Sequence, residues 1–461
     1  RLQELTQQAS PPFLFGGASY SGFIGDYDAF FNIAVAKDGN LEGALKAVLN
    51  EGIRAKNFGF TASELERTKK QLLTGVERRF KEKDKTKSAN YVSEYMNHFL
   101  EGSPATGIEF YYEFVKEQLD GIKIEEINAL SAKYLTPDNR TVIVMASEKD
   151  KDKLPTEAKV LEWINSAGQG VTAYEDKVIN KPLVENLPKA GSTVSTKQIA
   201  EIGATELTLS NGVKVVLKPT EFKNDEILIG AKSQGGTSLY SDKDFMSADI
   251  SNVVVEVSGV GEFNQNALKK FLTGKVARIS PYVGEYEEGF SGSSSPKDLE
   301  TALQLIYAYF TKPRKEDDVI KGFMATERSA IQNMTASPTP EKVFQDSLSI
   351  ILGSNNFRRQ PISVERWDMA NADRAYAIYK ERFADPADFT FFFTGSFKEE
   401  QIKPLLEKYL GALPTQNKKE SFRDLGIRSP KGRIDKKVYK GIEQKSQASL
   451  VYSGDYEYND D

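Results

Sequence analysis

Metal and nucleophile chemistry in proteins draws on a short set of side chains, and this chain nearly lacks two of them. It has one histidine, His98, and no cysteine in 461 residues. A catalytic zinc takes three protein ligands, drawn mostly from His, Cys and carboxylates. The HExxH and HxxEH pairs place two histidines four residues apart on one helical face, with Glu as general base. A single histidine excludes both pairs. His98 has no second ligand at helical spacing and reads as a partly buried helical histidine with one hydrogen bond. A Ser-His-Asp triad finds no support either, because the serines at 293–295 have no base beside them. Thiol catalysis and disulfides are absent with cysteine.

Two further groups have suggestive composition. Gly235, Gly236, Thr237 and Ser238 resemble a phosphate cradle, but they lack the Gly-Lys-Ser/Thr ending of a P-loop. They read as a turn between a strand and a helix. Glu285, Glu287 and Glu288 form a carboxylate cluster. Strand alternation sets Glu285 and Glu287 on one face, which suits a solvated surface better than an acid–base pair. Tyr282, Tyr286 and Phe290 alternate on one face of the same segment, for sheet packing or for lining a peptide-binding surface.

The elements that would position these groups come in duplicate. Residues 40–45 resemble residues 298–303, and each stretch follows a Tyr-, Phe- and Gly-rich segment, at 20–35 and 279–295. Each is followed by a charged helix, at 63–73 and 316–332. The ends match as well. A helix, an X-Pro turn and a short apolar run, 141–145, close the first copy, and a helix, Pro386 and the run 389–393 close the second. Both runs are continuous and apolar, as expected of strands buried on both faces. Spacing this long means duplicated domains rather than a solenoid.

The second copy has a front end of its own. Residues 207–215 alternate around Asn211-Gly212, a hairpin signature, and 226–232 form a further strand. Helices are expected over 241–257 and 264–272, with another starting at Ser295, Pro296 and Asp298. Residues 156–166 are expected as a short helix anchored by Trp163, and 447–452 as a strand. The first copy opens at Arg1 without its first strand, and the last strand falls close to Asp461, so both ends are expected to be truncated. The fold class is α+β: duplicated α/β repeats of mainly antiparallel sheet with helices packed on it. The expected division is 1–150, a linker at 151–203, 204–415, and a connector with the start of a further repeat at 416–461.

Bulk composition agrees with a non-membrane, non-nucleic-acid role. Net charge is −5, charged residues make up 28 %, and no apolar run approaches the roughly 18 residues of a membrane span. Aromatic content of 11 % and hydrophobic content of 39 % supply sizeable cores.

These patterns resemble the pitrilysin/insulinase-like zinc metallopeptidases, the inverzincins. The most telling pieces are 207–217, the strand–Gly–helix ending at 393–414, and the helix entry at 59–65. The resemblance implies α/β repeats in two halves that close like a clamshell around a peptide chamber, with HxxEH in the first repeat alone. Residues 1–150 then look like a second repeat, 204–415 like a third and 437–461 like the opening of a fourth. The zinc helix would correspond to 247–257, which has no histidine, and Glu327 lies near the place of a third ligand. The implied function is a non-catalytic portion of a zinc metalloendopeptidase, forming wall and hinge. Zinc would be held in an upstream repeat of the parent and not by this segment, with Tyr282, Tyr286 and Phe290 as chamber lining. Expected partners are that repeat, the rest of the fourth repeat and peptide substrates. The alternative is a metal-free structural or peptide-binding subunit beside a separate active peptidase. A bacterial periplasm or envelope location follows from the same resemblance.

Overall fold

Two hairpins, one in each half of the chain, set the plan of the computed structural model, which describes residues 1–454 except 26, 38, 137 and 147. In the first unit a short helix α1 (Leu2–Leu5) precedes β1 (Phe13–Ile24) and β2 (Tyr27–Ala36), which pair antiparallel as a two-stranded ribbon. Then follow α2 (Leu41–Phe58), α3 (Ala62–Lys81), α4 (Ser88–Glu101), α5 (Ile108–Gln118), α6 (Ile124–Tyr134) and α7 (Glu157–Ser166). Local signals explain the starts. The Asn40 side chain accepts from the Gly43 amide at 2.9 Å, Thr61 and Glu64 form a capping box, and Thr156 caps α7. Trp163 anchors α7 as expected and is buried. α2 lies under the ribbon, where Phe13, Ala44 and Val48 form a small core.

The second unit is larger. Its strands are β3 (Thr193–Ile199), β4 (Ala204–Leu209), β5 (Lys214–Pro219), β6 (Ile227–Gln234), β7 (Ala277–Val283), β8 (Glu287–Ser294) and β9 (Thr390–Gly395). They form one sheet in the order β3-β4-β5-β9-β6-β8-β7, antiparallel throughout except for the β5–β9 pair. Between β6 and β7 lie α8 (Phe245–Asp249), α9 (Ser251–Ser258) and α10 (Gln265–Leu272). After β8 come α11 (Leu299–Thr311), α12 (Asp317–Ala336), α13 (Pro340–Leu352), α14 (Val364–Trp367) and α15 (Ala372–Arg382), and β9 is followed by α16 (Glu399–Tyr409). The α+β class and the mainly antiparallel sheet hold.

Asn211-Gly212 makes the β4–β5 hairpin, with Gly212 at φ 89°. The Asn211 amide also donates to the carbonyls of Leu410 and Leu413, at 2.8 and 3.1 Å, and so ties the end of α16 to the hairpin. The core gathers Val215, Leu217, Ile229, Phe290, Leu303, Ile306, Tyr379, Phe391, Phe393 and Leu406 on one face of the sheet.

Several local expectations fail for reasons of pairing. Residues 141–145 form no strand, and Ile143 and Met145 are 78 % and 85 % exposed. An apolar run becomes a strand only beside a strand with free backbone groups, and the described first unit has only the β1–β2 ribbon. The matching run does pair, as β9 between β5 and β6. It is not covered on both faces, however. Phe391 and Phe393 point into the core while Phe392 is 36 % exposed, because helices cover one side. Residues 447–452 likewise form no strand, and Leu450 and Tyr452 are exposed. The helix expected over 241–257 is broken into α8 and α9 at Ile250. The helix expected from Ser295 begins at Leu299, and Ser295 instead closes a turn, its hydroxyl accepting from the Asp298 amide at 3.2 Å. β3 lies inside the segment read as linker and joins the large sheet.

Charged contacts join the units. Arg78 pairs with Glu226 at 2.6 Å and Lys81 with Asp225 at 3.2 Å, while Glu82 accepts from the amides of Asn224 and Asp225. Lys270 pairs with Glu4 at 2.7 Å and Asp176 at 3.0 Å. After Leu413 the described chain has no helix or strand. Its first stretch, 415–423, is nonetheless strapped to the second unit. Asp385 accepts from the Thr415 hydroxyl and from the amides of Gln416 and Lys418, at 2.7 to 2.9 Å.

Candidate functional site

Residues 247–257, which the resemblance sets at the place of a zinc helix, form the end of α8 and α9. A metal pair needs donor atoms four residues apart on one face. Ile250 and Val254 have that spacing here. They are 4 % and 0 % exposed and pack among Met246, Ile320, Ile331, Trp367 and Ala375. A hydrocarbon cluster supplies no lone pairs, so these residues do not fit a zinc ion. Glu327, on α12, is half-buried. Among the described residues no group of three His, Asp or Glu side chains is placed to hold a metal. His98 lies in the last turn of α4 and is exposed, not partly buried. Its Nδ1–H donates to the Ser103 carbonyl at 2.8 Å and closes the turn that follows the helix.

The Gly235–Ser238 turn offers no phosphate cradle, because its amides are already committed. They donate to the Tyr286 carbonyl, the Glu288 carboxylate, the Gly284 carbonyl and the Glu285 carbonyl in turn, at 2.6 to 2.8 Å. A Cβ on Gly236, at φ 59°, would lie 2.4 Å from the Gly284 oxygen, so the close approach requires glycine.

That turn is the lid of a buried polar hub. Glu288 is 1 % exposed. Burial pushes its carboxyl up to about 7, against the stabilising Gly236 amide and the Arg382 guanidinium. Arg382, also buried, donates from Nε to the Tyr240 hydroxyl at 3.0 Å. Its Nη1 lies 2.8 Å from Glu420 and 3.8 Å from Glu288. Arg358 donates to Asp242 and to the carbonyls of Thr237 and Tyr240. Arg423 adds bonds to the Ser238 hydroxyl and the Tyr240 carbonyl, at 2.9 and 2.8 Å. The hub therefore anchors the strap to the end of the sheet. Its charges are paired with one another, which is a structural role.

The carboxylate cluster is dispersed. Glu285 pairs with Arg359, Glu287 accepts from the Tyr282 hydroxyl at 3.1 Å, and Glu288 faces the hub. The three aromatics do not share a face either. The register opposes Pro281 to Phe290 and Tyr282 to Gly289, which puts Tyr282 and Phe290 on opposite sides of the sheet. Phe290 is 1 % exposed within a ring cluster of Tyr309, Phe310, Phe383 and Phe389. Tyr286 lies in the β7–β8 turn with its ring 5.3 Å from Phe422 of the strap. The alternation read from sequence ran through a turn, where the period of two breaks. Sequence reasoning also missed the hub, whose members lie far apart in the chain and share no local spacing.

Comparison with known proteins matches this arrangement to one family. Residues 370–461 match the family described as the peptidase M16 inactive domain. The chain is 26 % identical over 366 residues to the zinc protease PQQL-like of Arabidopsis thaliana, covering 78 % of this chain and 35 % of that protein. It is 24 % identical over 420 residues to the probable zinc protease PqqL of Escherichia coli K12, covering 90 % and 44 %. The crystal structure of E. coli PqqL is described as that of a periplasmic protease. In fold this chain is similar to a mutant of the ferredoxin protease FusC, crystallised with Arabidopsis ferredoxin: TM-score 0.54, 18 % identity, 93 % of this chain and 48 % of that one. The chain thus spans less than half the length of each of these relatives. These likenesses are consistent with a pitrilysin-like, M16 family of zinc peptidases, whose inactive domain residues 370–461 match.

Proposed function

We propose that this chain is the non-catalytic wall and hinge of a clamshell peptide-degradation chamber in a zinc metalloendopeptidase. The zinc would be held by an HxxEH-bearing repeat outside residues 1–461. The observation that carries this reading is that residues 247–257 hold no histidine and that Ile250 and Val254 among them lie inside a hydrocarbon core. Within the reading, 1–150 and 204–415 are two inactive repeats, with 151–203 between them and 416–461 leading onward. The ion pairs of Arg78 and Lys81 support the two repeats acting as one wall. The described part of the connector beyond the strap, 424–454, has no helix or strand and is the candidate hinge. Tyr282, on the sheet face away from the main core, and Tyr286 remain candidates for the lining, whereas Phe290 serves the core. Substrates would be peptides or unfolded segments, and a bacterial envelope location is supported by the description of the E. coli relative.

Reconstitution tests the reading. Peptide hydrolysis should appear only when this chain is combined with a polypeptide bearing HxxEH, and neither should suffice alone. Cleavage by the 461-residue chain by itself, or full activity of the HxxEH polypeptide without it, would overturn the proposal.

A further inference from the structure

The strap at 415–423 has no helix or strand, yet the second unit grips it along its length. The amides of Gln416 and Lys418 donate to Asp385, that of Glu420 to Asp388 and that of Arg423 to the Ser238 hydroxyl. Phe422 packs on the ring of Tyr286. The charge in this contact is supplied less evenly. Arg382 is buried, and its Nη1 lies between two carboxylates, 2.8 Å from Glu420 of the strap and 3.8 Å from Glu288 of β8. Gly235 closes over the pair: a Cβ there would lie 2.6 Å from Arg382 Nη1 and 3.1 Å from Glu288 Oε2. One buried guanidinium thus serves a carboxylate fixed to the sheet and a carboxylate carried by the strap. Glu288 also faces Ser233 of β6, the Gly236 amide and Tyr282 of β7. Glu420 pairs with Lys418 as well, and Lys419 lies near Asp388.

We propose that 415–423 is a latch whose seating is governed by the proton on Glu288. With Glu288 neutral, the Arg382 charge belongs to Glu420 and the strap stays docked. With Glu288 ionised, two carboxylates compete for one buried guanidinium. The strap then lifts, taking Glu420 into water and leaving Arg382 to Glu288. While the strap is seated, burial and the Glu420 charge raise Glu288 to about 7, against the Gly236 amide and Arg382. Lifting removes the Glu420 charge and admits water, which lowers that value and releases the proton. Lifting is therefore favoured as pH rises toward about 7, by at most about tenfold per pH unit for one proton, and levels off above it. Because the strap leads into 424–454, its lifting extends the free connector back to residue 415. That consequence rests on the reading of the chain as wall and hinge.

Amide exchange in the 461-residue chain tests the latch, expressed as protection relative to an unstructured peptide at the same pH. Protection over 415–423 should fall about tenfold between pH 5.5 and 7.5 while β6 and β8 keep theirs. Glu288→Gln, which keeps the shape and an acceptor for the Gly236 amide, should hold the strap's protection level across that range. Glu420→Gln, at a half-buried position, should lower protection about tenfold at pH 5.5 and remove most of the fall. Level protection in the unsubstituted chain, an equal fall in Glu288→Gln, full protection in Glu420→Gln, or joint loss over 415–423 and β8 would overturn the latch. No peptidase partner takes part in the measurement, so the latch and the proposed function fail separately.

Discussion

The run at 141–145 and the run in β9 are close in composition and in their place after a helix, yet they end in opposite environments. Phe391 and Phe393 are fully buried, and Ile143 is 78 % exposed. The difference lies in neighbours. β9 has β5 on one side and β6 on the other, whereas 141–145 pairs with nothing among the described residues. Burial of a strand is thus a property of the sheet and not of the segment. The hairpins show the same contrast. β7–β8 sits at the margin of a seven-stranded sheet, and β1–β2 stands as a ribbon on α2.

This contrast can be broken by substitution. Phe391→Ala should cost about 3–5 kcal/mol of stability, because a fully buried aromatic leaves a cavity. Ile143→Ala should cost within about 0.5 kcal/mol, as at other exposed positions. Urea unfolding of both variants measures the gap, and equal losses would mean that 141–145 is packed in solution.

The buried hub sharpens the picture of the second unit through pH. The folded-state value of Glu288 is raised to about 7, above the ordinary glutamate value of about 4.3. Across that window the folded state holds a proton that the unfolded chain has released. Stability from this group is therefore present below about pH 4.3 and is lost as pH rises through about 7, by about 4 kcal/mol at most. Glu288→Gln should flatten this fall when melting temperature is followed from pH 4.5 to 8. An unchanged slope would place the proton elsewhere.

The contact between units works in the opposite sense. Asp176, beside Arg67, Ser63 and Lys270, is held down at about 2 despite its burial. Its contribution is present above the ordinary aspartate value of about 3.9 and is lost as pH falls toward 2. Asp176→Asn should remove part of the acid-induced loss of stability, its cost being greatest at neutral pH and vanishing as pH falls toward 2. Acid titration of the melting temperature checks it.

Much of the local structure was legible. Asn211-Gly212 marked its hairpin, Asn264 and Thr156 marked helix starts, and Trp163 marked a buried anchor. Each signal acts within a few residues of itself. Pairing was not legible, because the partners of 141–145 and 389–393 are decided by strands far away in sequence. The break between α8 and α9 was masked by an uninterrupted apolar pattern across Ile250. The hub joins residues from 235 to 423, which no spacing rule connects. The metal argument needed no folding at all, since it rests on residue types, and the structure adds that Ile250 and Val254, within 247–257, lie in a hydrocarbon core.

Zinc stoichiometry tests the central claim most directly. The purified 461-residue chain, loaded with excess zinc and then dialysed against a weak chelator, should retain no tightly bound zinc by elemental analysis. Retention of one zinc per chain, lost on Glu327→Ala, would contradict the account.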